Sequence, residues 1–359
     1  MPRAWVVEEF GRMEWKELPA VPPGPGEARL RVAAAGICGS DRHIIEGRDP
    51  RVPLPIIPGH EGVGEVLEPA GGLRDVLGRE VRPGDLVAYD RGLTCGRCYH
   101  CRVLRTPFLC PQRRVYGINV SSAEPPHLRG NYAEEIILFA GTALYRLPRG
   151  AEAARYVSAS CSGATAAHAV EEAAIVPGET VVVMGCGPLG VWVAALAGDA
   201  GARVAGVDVR PARLELAREF GVGLLLDASA GTAEERAEAV REFSGGLGAD
   251  CVIDTTGVSA TFAEGLAYLR RGGRYLNVGV AVPTESVPLD LYALNLRNLT
   301  LKGVWVSDTR HFVRAVRAVE EGRHPFQRLV THRRPLAEAP EALRIMQEDP
   351  GALKVVLLP

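Results

Sequence analysis

The stretch ETVVVMGCGPLGVWVAALAGDAGARVAGVDV limits what this chain can fold into more than any other. It reads as an apolar strand, a glycine turn, a helix and a second strand, which together make a βαβ unit. The alternation continues through helix-like PARLELAREFG, the short run LLLD, helical AEERAEAVREFSG, strand CVIDTTG, helical SATFAEGLAYLRRGG and strand RYLNVGV. Strands alternating with helices over such a length predict an α/β fold with a doubly wound parallel sheet. Just upstream, AARYVSASCSGATAAHAVEEA (153–173) is Ala-rich with helical spacing and predicts a helix.

Within this unit Gly185, Gly187 and Gly190, with Pro188 and Leu189 between the last two, form a GxGxxG turn after a strand and before a helix. The first glycine permits a tight turn, the second lets the backbone approach a pyrophosphate, and the third allows close helix-to-strand packing. Asp208 ends the next strand, where a carboxylate can accept hydrogen bonds from an adenosine ribose. Dinucleotide binding follows. An acid at 208 repels a 2′-phosphate and favours NAD over NADP, although Arg210 and Arg213 close behind soften that preference.

The remainder has a different texture. The first third is rich in Gly and Pro, with β-branched runs such as ARLRVAAAGI (28–37) and EGVGEVLEPAG (61–71), and predicts a mostly irregular β domain of short strands without helices. After about residue 300 come strand-like LTLKGVWVS, two amphipathic helical stretches and the terminal strand ALKVVLL. The expected division is a β-rich domain over 1–152, the nucleotide domain over 153–300, and a return to the first domain over 301–359. With 359 residues, two compact lobes can each bury a core. Forty-one Lys and Arg against 43 Asp and Glu give a net charge of -2, which offers a polyanion no attractive field and argues against a nucleic-acid partner. No uncharged apolar stretch reaches the ~20 residues of a membrane span, and the N-terminus meets glutamates early, so the chain reads as cytosolic.

A reducing compartment turns attention from disulfides to metal for the eight cysteines. Cys95, Cys98, Cys101 and Cys110 lie within CGRCYHCRVLRTPFLC, and four thiolates close a tetrahedral shell around Zn²⁺ with no open position. An iron–sulfur cluster takes similar spacing, but nothing nearby suggests electron transfer. A second, dispersed set comprises Cys38 in GICGSDRH, His60 and Glu61 in PGHEGVGEV, and Cys161 in SASCSGAT. Two thiolates and one imidazole leave a fourth position open, the arrangement of a catalytic zinc. Cys186 and Cys251 fall outside both sets and are expected to pack as small apolar residues.

With GICGSD, GHEGVGEV, the four-cysteine lobe, CSGAT and VMGCGPLG in this order, the chain resembles the zinc-containing medium-chain alcohol dehydrogenase superfamily from residue 1 to 359, above all its threonine and polyol dehydrogenase branch. The last gap of the cysteine lobe, eight residues, is one longer than the common pattern. The resemblance implies a GroES-like catalytic domain, two Zn²⁺ per chain, and a homodimer or homotetramer built through the nucleotide lobe. It implies that Cys38, His60 and Cys161 hold the catalytic zinc, with Glu61 behind it as an alternative ligand and Asp41 fixing the His60 ring. Ser40 would pass the substrate proton onward and His43 would hand it to solvent; a turn serine and a surface histidine are the plain alternative. Thr165 would flank the nicotinamide, Arg213 would support the adenosine end, and Lys354 would reach the pyrophosphate.

The implied activity is hydride transfer between an alcohol and NAD. Arg91, four residues before Cys95, falls where simple-alcohol members have an apolar pocket wall, and Tyr116, Asn119 and His127 are further polar candidates. Together they point to a polar substrate: a polyol, a sugar, a hydroxy amino acid, or a phosphorylated or phosphonated alcohol. Two alternatives stand beside this reading. One is a zinc-independent quinone or enone reductase of the same fold, which lacks the ligand set. The other is a zinc ribbon gripping nucleic acid through Arg97, Arg102, Arg105, Arg113 and Arg114.

Overall fold

The computed structural model describes residues 1–19, 21–279 and 282–359. It separates into two compact units, one of Met1–Ala164 with Ser307–Pro359 and one of Thr165–Val306.

The first unit is built on a seven-stranded sheet. Its main path runs Val330–Pro335, Lys354–Leu358, Ala28–Gly36, Glu61–Pro69, Leu86–Tyr89 and Leu144–Arg146, and Glu135–Leu138 also pairs with Ala28–Gly36. Most pairings are antiparallel, as short β-branched runs joined by Gly- and Pro-rich turns allow. The terminal strand Lys354–Leu358 lies beside Ala28–Gly36, with Val356 opposite Gly36, so the last residues close the sheet begun near the first. Its core gathers Leu30, Val32, Ile56, Val87, Tyr116, Ile136 and Val355 from both ends of the chain.

The second unit is the expected parallel sheet. Counted in chain order, Thr180–Met184, Arg203–Asp208, Val222–Asp227, Ala249–Asp254, Leu269–Asn277 and Thr300–Gly303 lie in the order 3-2-1-4-5-6. Helices connect them, Pro188–Asp199 following the first strand. The reversal at the first strand opens a crevice at the carboxyl ends, where the glycine turn sits. Strand Thr180–Met184 is buried throughout, as a parallel strand covered on both faces must be.

Four expectations need correction. The β-rich third does contain helices, Gly39–Ile45 and the single turn Tyr99–Arg102; Asp41 starts the first by accepting from Cys38 N at 2.8 Å. Residues 153–173 are not one helix: 3₁₀ turns Ala153–Arg155 and Val157–Ser160 precede Ser162–Ala173, and Cys161, at φ -121° and ψ -85°, interrupts the helix. The helix over SATFAEGLAYLRRGG ends at Tyr268, because Leu269 turns extended and begins to pair with Ala249. The domain boundaries move from 153 to 165 and from 300 to 306: residues 153–164 belong with the first unit, and Thr300–Gly303 is the sixth strand of the parallel sheet.

No helix among the described residues is long and apolar enough to cross a membrane. Trp192, in the middle of Pro188–Asp199, is a fully buried side chain of the second unit. Trp192→Ala is expected to cost about 3–5 kcal/mol, read as a lower urea midpoint for that unit.

Candidate active site

Four side chains of the first unit meet at the metal-ligand positions. One ligand atom each from Cys38, His60, Glu61 and Cys161 lies within 4.8 Å of the others. Cys38 precedes the helix Gly39–Ile45, and His60 and Glu61 stand at the start of Glu61–Pro69. Cys161 sits at the helix interruption, which aims its Sγ at His60 Nε2, 3.4 Å away.

The supports reach inward from several elements. Asp41 Oδ1 lies 3.0 Å from His60 Nδ1, while Oδ2 accepts from Cys38 N at 2.8 Å and Tyr132 OH at 2.9 Å. This carboxylate therefore fixes the imidazole with Nε2 turned to the thiols, as an outer partner of a metal-bound histidine does. Burial opposes a charge on His60, but Asp41 and Cys38 raise it to about 9 in the absence of a cation.

The chemistry of the set fits a divalent cation. The Cys161 thiol donates to Cys38, which pulls Cys38 well below the usual thiol range and pushes Cys161 well above it. A divalent cation binds thiolates, so its presence would favour ionisation of both sulfurs.

Glu61 and Lys354 form a buried pair next to this set. Lys354 Nζ lies 2.9 and 2.8 Å from the two Glu61 oxygens and 3.0 Å from Ile37 O. An ammonium has three donors, and all three are used here. The expected reach of Lys354 to a pyrophosphate is therefore not what the structure shows, and Glu61, expected as an alternative metal ligand, is held by the lysine. Gly36 makes room for the pair, since a Cβ there would lie 2.4 Å from Glu61 Oε2.

Ser40 Oγ donates to Cys38 Sγ at 3.3 Å, and His43 follows one turn later on the same helix, which places the two on one face. The polar substrate candidates fare differently. Tyr116 OH is taken by Thr142 and by Phe139 N, Asn119 braces the loop at Val115 N and Arg113 O, and His127 Nδ1 lies 2.9 Å from Ser122 O. These three shape loops; Arg91 alone remains near the donor set, buried and in the field of Cys161, Cys38 and Glu61.

The other four cysteines also converge. Their sulfurs lie within 4.8 Å of one another, with Cys98 Sγ 3.5 Å from Cys101 Sγ and 3.9 Å from Cys110 Sγ. Backbone N–H groups of Arg97 and Cys98 help lower Cys95 to about 6, and burial among the other sulfurs raises Cys101 to about 11. Four sulfurs fill a tetrahedral shell and leave no open position, which suits a closed Zn²⁺ site.

In the second unit the glycine turn has the shape a pyrophosphate needs. Gly185 has φ +86°, and a Cβ on Gly190 would lie 1.7 Å from Gly185 O. Gly187 precedes the helix beginning Pro188 and Leu189, leaving its first N–H groups turned outward. Asp208 Oδ2 accepts from Cys186 N at 2.7 Å, and Oδ1 accepts from Arg210 N at 2.8 Å, so this carboxylate also fixes the turn. Arg213 Nη1 is 3.9 Å from Asp208 Oδ2. Thr165 is buried at the start of this unit. Cys186 and Cys251 are buried, as packing residues should be, and burial lifts both thiols to about 12.

Comparison with known proteins agrees with this arrangement. Residues 24–149 match the alcohol dehydrogenase GroES-like domain, and residues 188–321 match the zinc-binding dehydrogenase family. A 5-exo-hydroxycamphor dehydrogenase of Pseudomonas putida is 32% identical over 98% of this chain and 96% of its own. This chain belongs to the zinc-containing alcohol dehydrogenases. An NAD-dependent alcohol dehydrogenase of Sulfurisphaera tokodaii is 30% identical over 99% of this chain and 100% of its own. An alcohol dehydrogenase of Thermotoga maritima superposes with a TM-score of 0.96 at 44% identity, covering 100% of this chain and 99% of that one. The protein is thus an oxidoreductase with a GroES-like and a nucleotide-binding part, and its cofactors are zinc and a nicotinamide dinucleotide.

Sequence reading missed Tyr132, which carries no motif, and the true partner of Lys354. A lysine inside the apolar run ALKVVLL was the available signal, because a buried ammonium requires a carboxylate. Lys354→Met is expected to strand Glu61 as a buried charge and to cost about 3–5 kcal/mol. Urea unfolding of the variant, set against the double variant Lys354→Met/Glu61→Gln that restores part of the loss, measures it.

Proposed function

We propose that the protein oxidises a polar alcohol to its aldehyde or ketone, and runs the reverse, with Cys38, His60 and Cys161 holding the catalytic zinc. The observation that carries this is the buried donor set with its imidazole oriented by Asp41. Bound there, zinc supplies a Lewis acid that lowers the pKa of an alcohol hydroxyl towards neutrality. The chain's own residues then move the proton. Ser40, half-buried on the Cys38 sulfur, takes it from the hydroxyl, and His43 on the same helix face releases it to solvent. A nicotinamide bound beside Thr165 would supply the acceptor for the carbinol hydride.

Cys95, Cys98, Cys101 and Cys110 hold the second zinc as a structural brace in this reading. Gly185, Gly187 and Gly190 receive the pyrophosphate, Asp208 the adenosine ribose, Arg213 the adenosine end, and Thr165 the nicotinamide. Asp208, already accepting two backbone bonds, favours NAD because a 2′-phosphate would meet its charge. Association as a homodimer or homotetramer belongs to the same proposal; Leu291, Tyr292 and Leu296 are exposed apolar residues of the second unit that an interface would cover. Thiols kept for metal suit a reducing compartment, and we place the protein in the cytoplasm.

Cys38→Ala and His60→Ala are expected to abolish alcohol-dependent NAD reduction while dinucleotide binding persists. Metal analysis should find two zinc ions per chain in the parent, one for each sulfur-containing cluster, and one in either variant. Turnover retained in these variants removes the proposal.

A further inference from the structure

Strand Ala249–Asp254, the fourth of the parallel sheet in chain order, pairs with Thr180–Met184, so its carboxyl end stands beside the glycine turn. Thr255, Thr256 and Gly257, which leave that strand, form no part of the glycine motif, yet they press against it. A Cβ on Gly185 would lie 3.0 Å from Thr255 Oγ1, 3.1 Å from Thr256 Cγ2 and 3.4 Å from Thr256 N. A Cβ on Gly190 would also lie 3.0 Å from Thr255 Oγ1. The Thr255 hydroxyl therefore sits between the first and last glycines of the turn.

Its hydrogen bonds reach the backbone of the turn. Thr255 N donates to Met184 O at 2.9 Å, and the hydroxyl donates towards Met184 O and Gly185 O, each 2.9 Å from Oγ1. Met184 O already has the backbone donor, so Gly185 O is where the hydroxyl adds most. The other end of the same peptide is held too, because Cys186 N donates to Asp208 Oδ2 at 2.7 Å. The Gly185–Cys186 peptide plane is thus gripped at its oxygen from the fourth strand and at its nitrogen from the second. Gly185 stands at φ +86°, and a glycine's own covalent structure leaves such a plane free to turn.

The segment that carries this hydroxyl is itself braced. Asp254, 4% exposed, accepts at Oδ1 from Thr256 N at 2.8 Å and Thr256 Oγ1 at 2.6 Å. Its Oδ2 accepts from Tyr275 OH at 2.6 Å and Thr261 Oγ1 at 2.8 Å. A buried carboxylate with four donors makes a rigid anchor. Behind the segment, Val278 N and Gly279 N both donate to Asp254 O, and a Cβ on Gly279 would lie 2.4 Å from Gly257 N and 2.5 Å from Thr255 C. Close backbone packing on one side and a satisfied carboxylate on the other leave Thr255 little room to move away from the turn.

We propose that Thr255 is a positioning residue for the dinucleotide: its hydroxyl locks the Gly185–Cys186 peptide, so that the N–H groups opening the helix Pro188–Asp199 meet a pyrophosphate without rearranging. A turn already in its binding shape loses less freedom when the ligand arrives, and the smaller cost appears as affinity. Thr255 acts only through the turn, and its role rests on the pyrophosphate reading of that turn given above.

The test measures ligand binding by the zinc-loaded protein in Thr255→Val, which keeps the branched shape without the hydroxyl, and in Thr255→Ser, which keeps the hydroxyl. Fluorescence of bound NADH gives its Kd, and displacement of NADH gives those of ADP and adenosine. Thr255→Val should weaken NADH and ADP by about 3- to 10-fold, the worth of one hydrogen bond between neutral groups. Adenosine, which has no phosphate, should bind as in the parent. In NAD reduction the loss should appear in KM for NAD and not in kcat. Thr255→Ser should bind all three ligands like the parent. A residue that only stabilises the fold would lower the urea midpoint and leave every Kd in place. Should Thr255→Val not fold, Thr255→Ala supplies the hydroxyl-free comparison. NADH and ADP bound by the hydroxyl-free variant as tightly as by the parent, adenosine weakened as much as ADP, or Thr255→Ser as weak as Thr255→Val each overturns the role of Thr255 and leaves the pyrophosphate reading intact. A parent that binds ADP no better than adenosine overturns both.

Discussion

His60, Glu61, Asp41 and Lys354 beside the candidate metal site are all buried, and the need to match their charges organises the surrounding structure. His60, Glu61 and Asp41 have no exposed surface, and Lys354 has 1%. Charges so placed cannot lean on water, so each must find a partner within the fold. Asp41 answers with two donors, the Cys38 backbone and Tyr132, and sets its other oxygen 3.0 Å from His60 Nδ1. Glu61 answers with Lys354, which draws the C-terminal strand against Ala28–Gly36. The two thiols pull each other's acidity in opposite directions, Cys38 down and Cys161 up, which a divalent cation bound by both would relieve.

This matching also explains where the backbone departs from regular structure. A continuous helix over 153–173 would suit the alanines, yet Cys161 must leave helical geometry for its sulfur to face His60. Gly36 and Gly62 keep the neighbouring strands free of side chains, Gly36 for Glu61 and Gly62 for the Tyr89–Asn131 hydrogen bond, which a Cβ would strike at 2.1 Å from Asn131 Oδ1. In the nucleotide unit the same economy appears at Gly190, where the helix lies too close to Gly185 for any side chain.

Much of this was legible in the sequence, for reasons that differ by element. The parallel sheet could be read because its strands are apolar throughout and its helices periodic, and the glycine turn because phosphate approach forbids side chains. The zinc clusters could be read because thiols and an imidazole are rare groups whose spacing has few other uses. The helix end at Tyr268 was hidden: the next residues, LRRGG, look like a fraying helix end, and only pairing of Leu269 with Ala249 makes them a strand. The helix Gly39–Ile45 was hidden because it depends on Asp41, whose other oxygen serves His60, a residue remote in sequence. Tyr132 was illegible for the same reason, as a tyrosine gains its meaning here only from what the fold sets opposite its hydroxyl.

The outer cysteine lobe connects these strands of argument. Gly92–Leu93 pairs antiparallel with Arg114–Val115, so the two ends of the lobe are a short ribbon closed between Cys95 and Cys110. Arg91 stands just before one strand of that ribbon and Arg113 just before the other, so residues 22 apart in sequence are brought to the same end of the lobe. A zinc held by these four sulfurs would therefore do more than stiffen a surface loop: through the two-residue ladder it would tie the lobe to the strand Leu86–Tyr89, which the seven-stranded sheet holds in place.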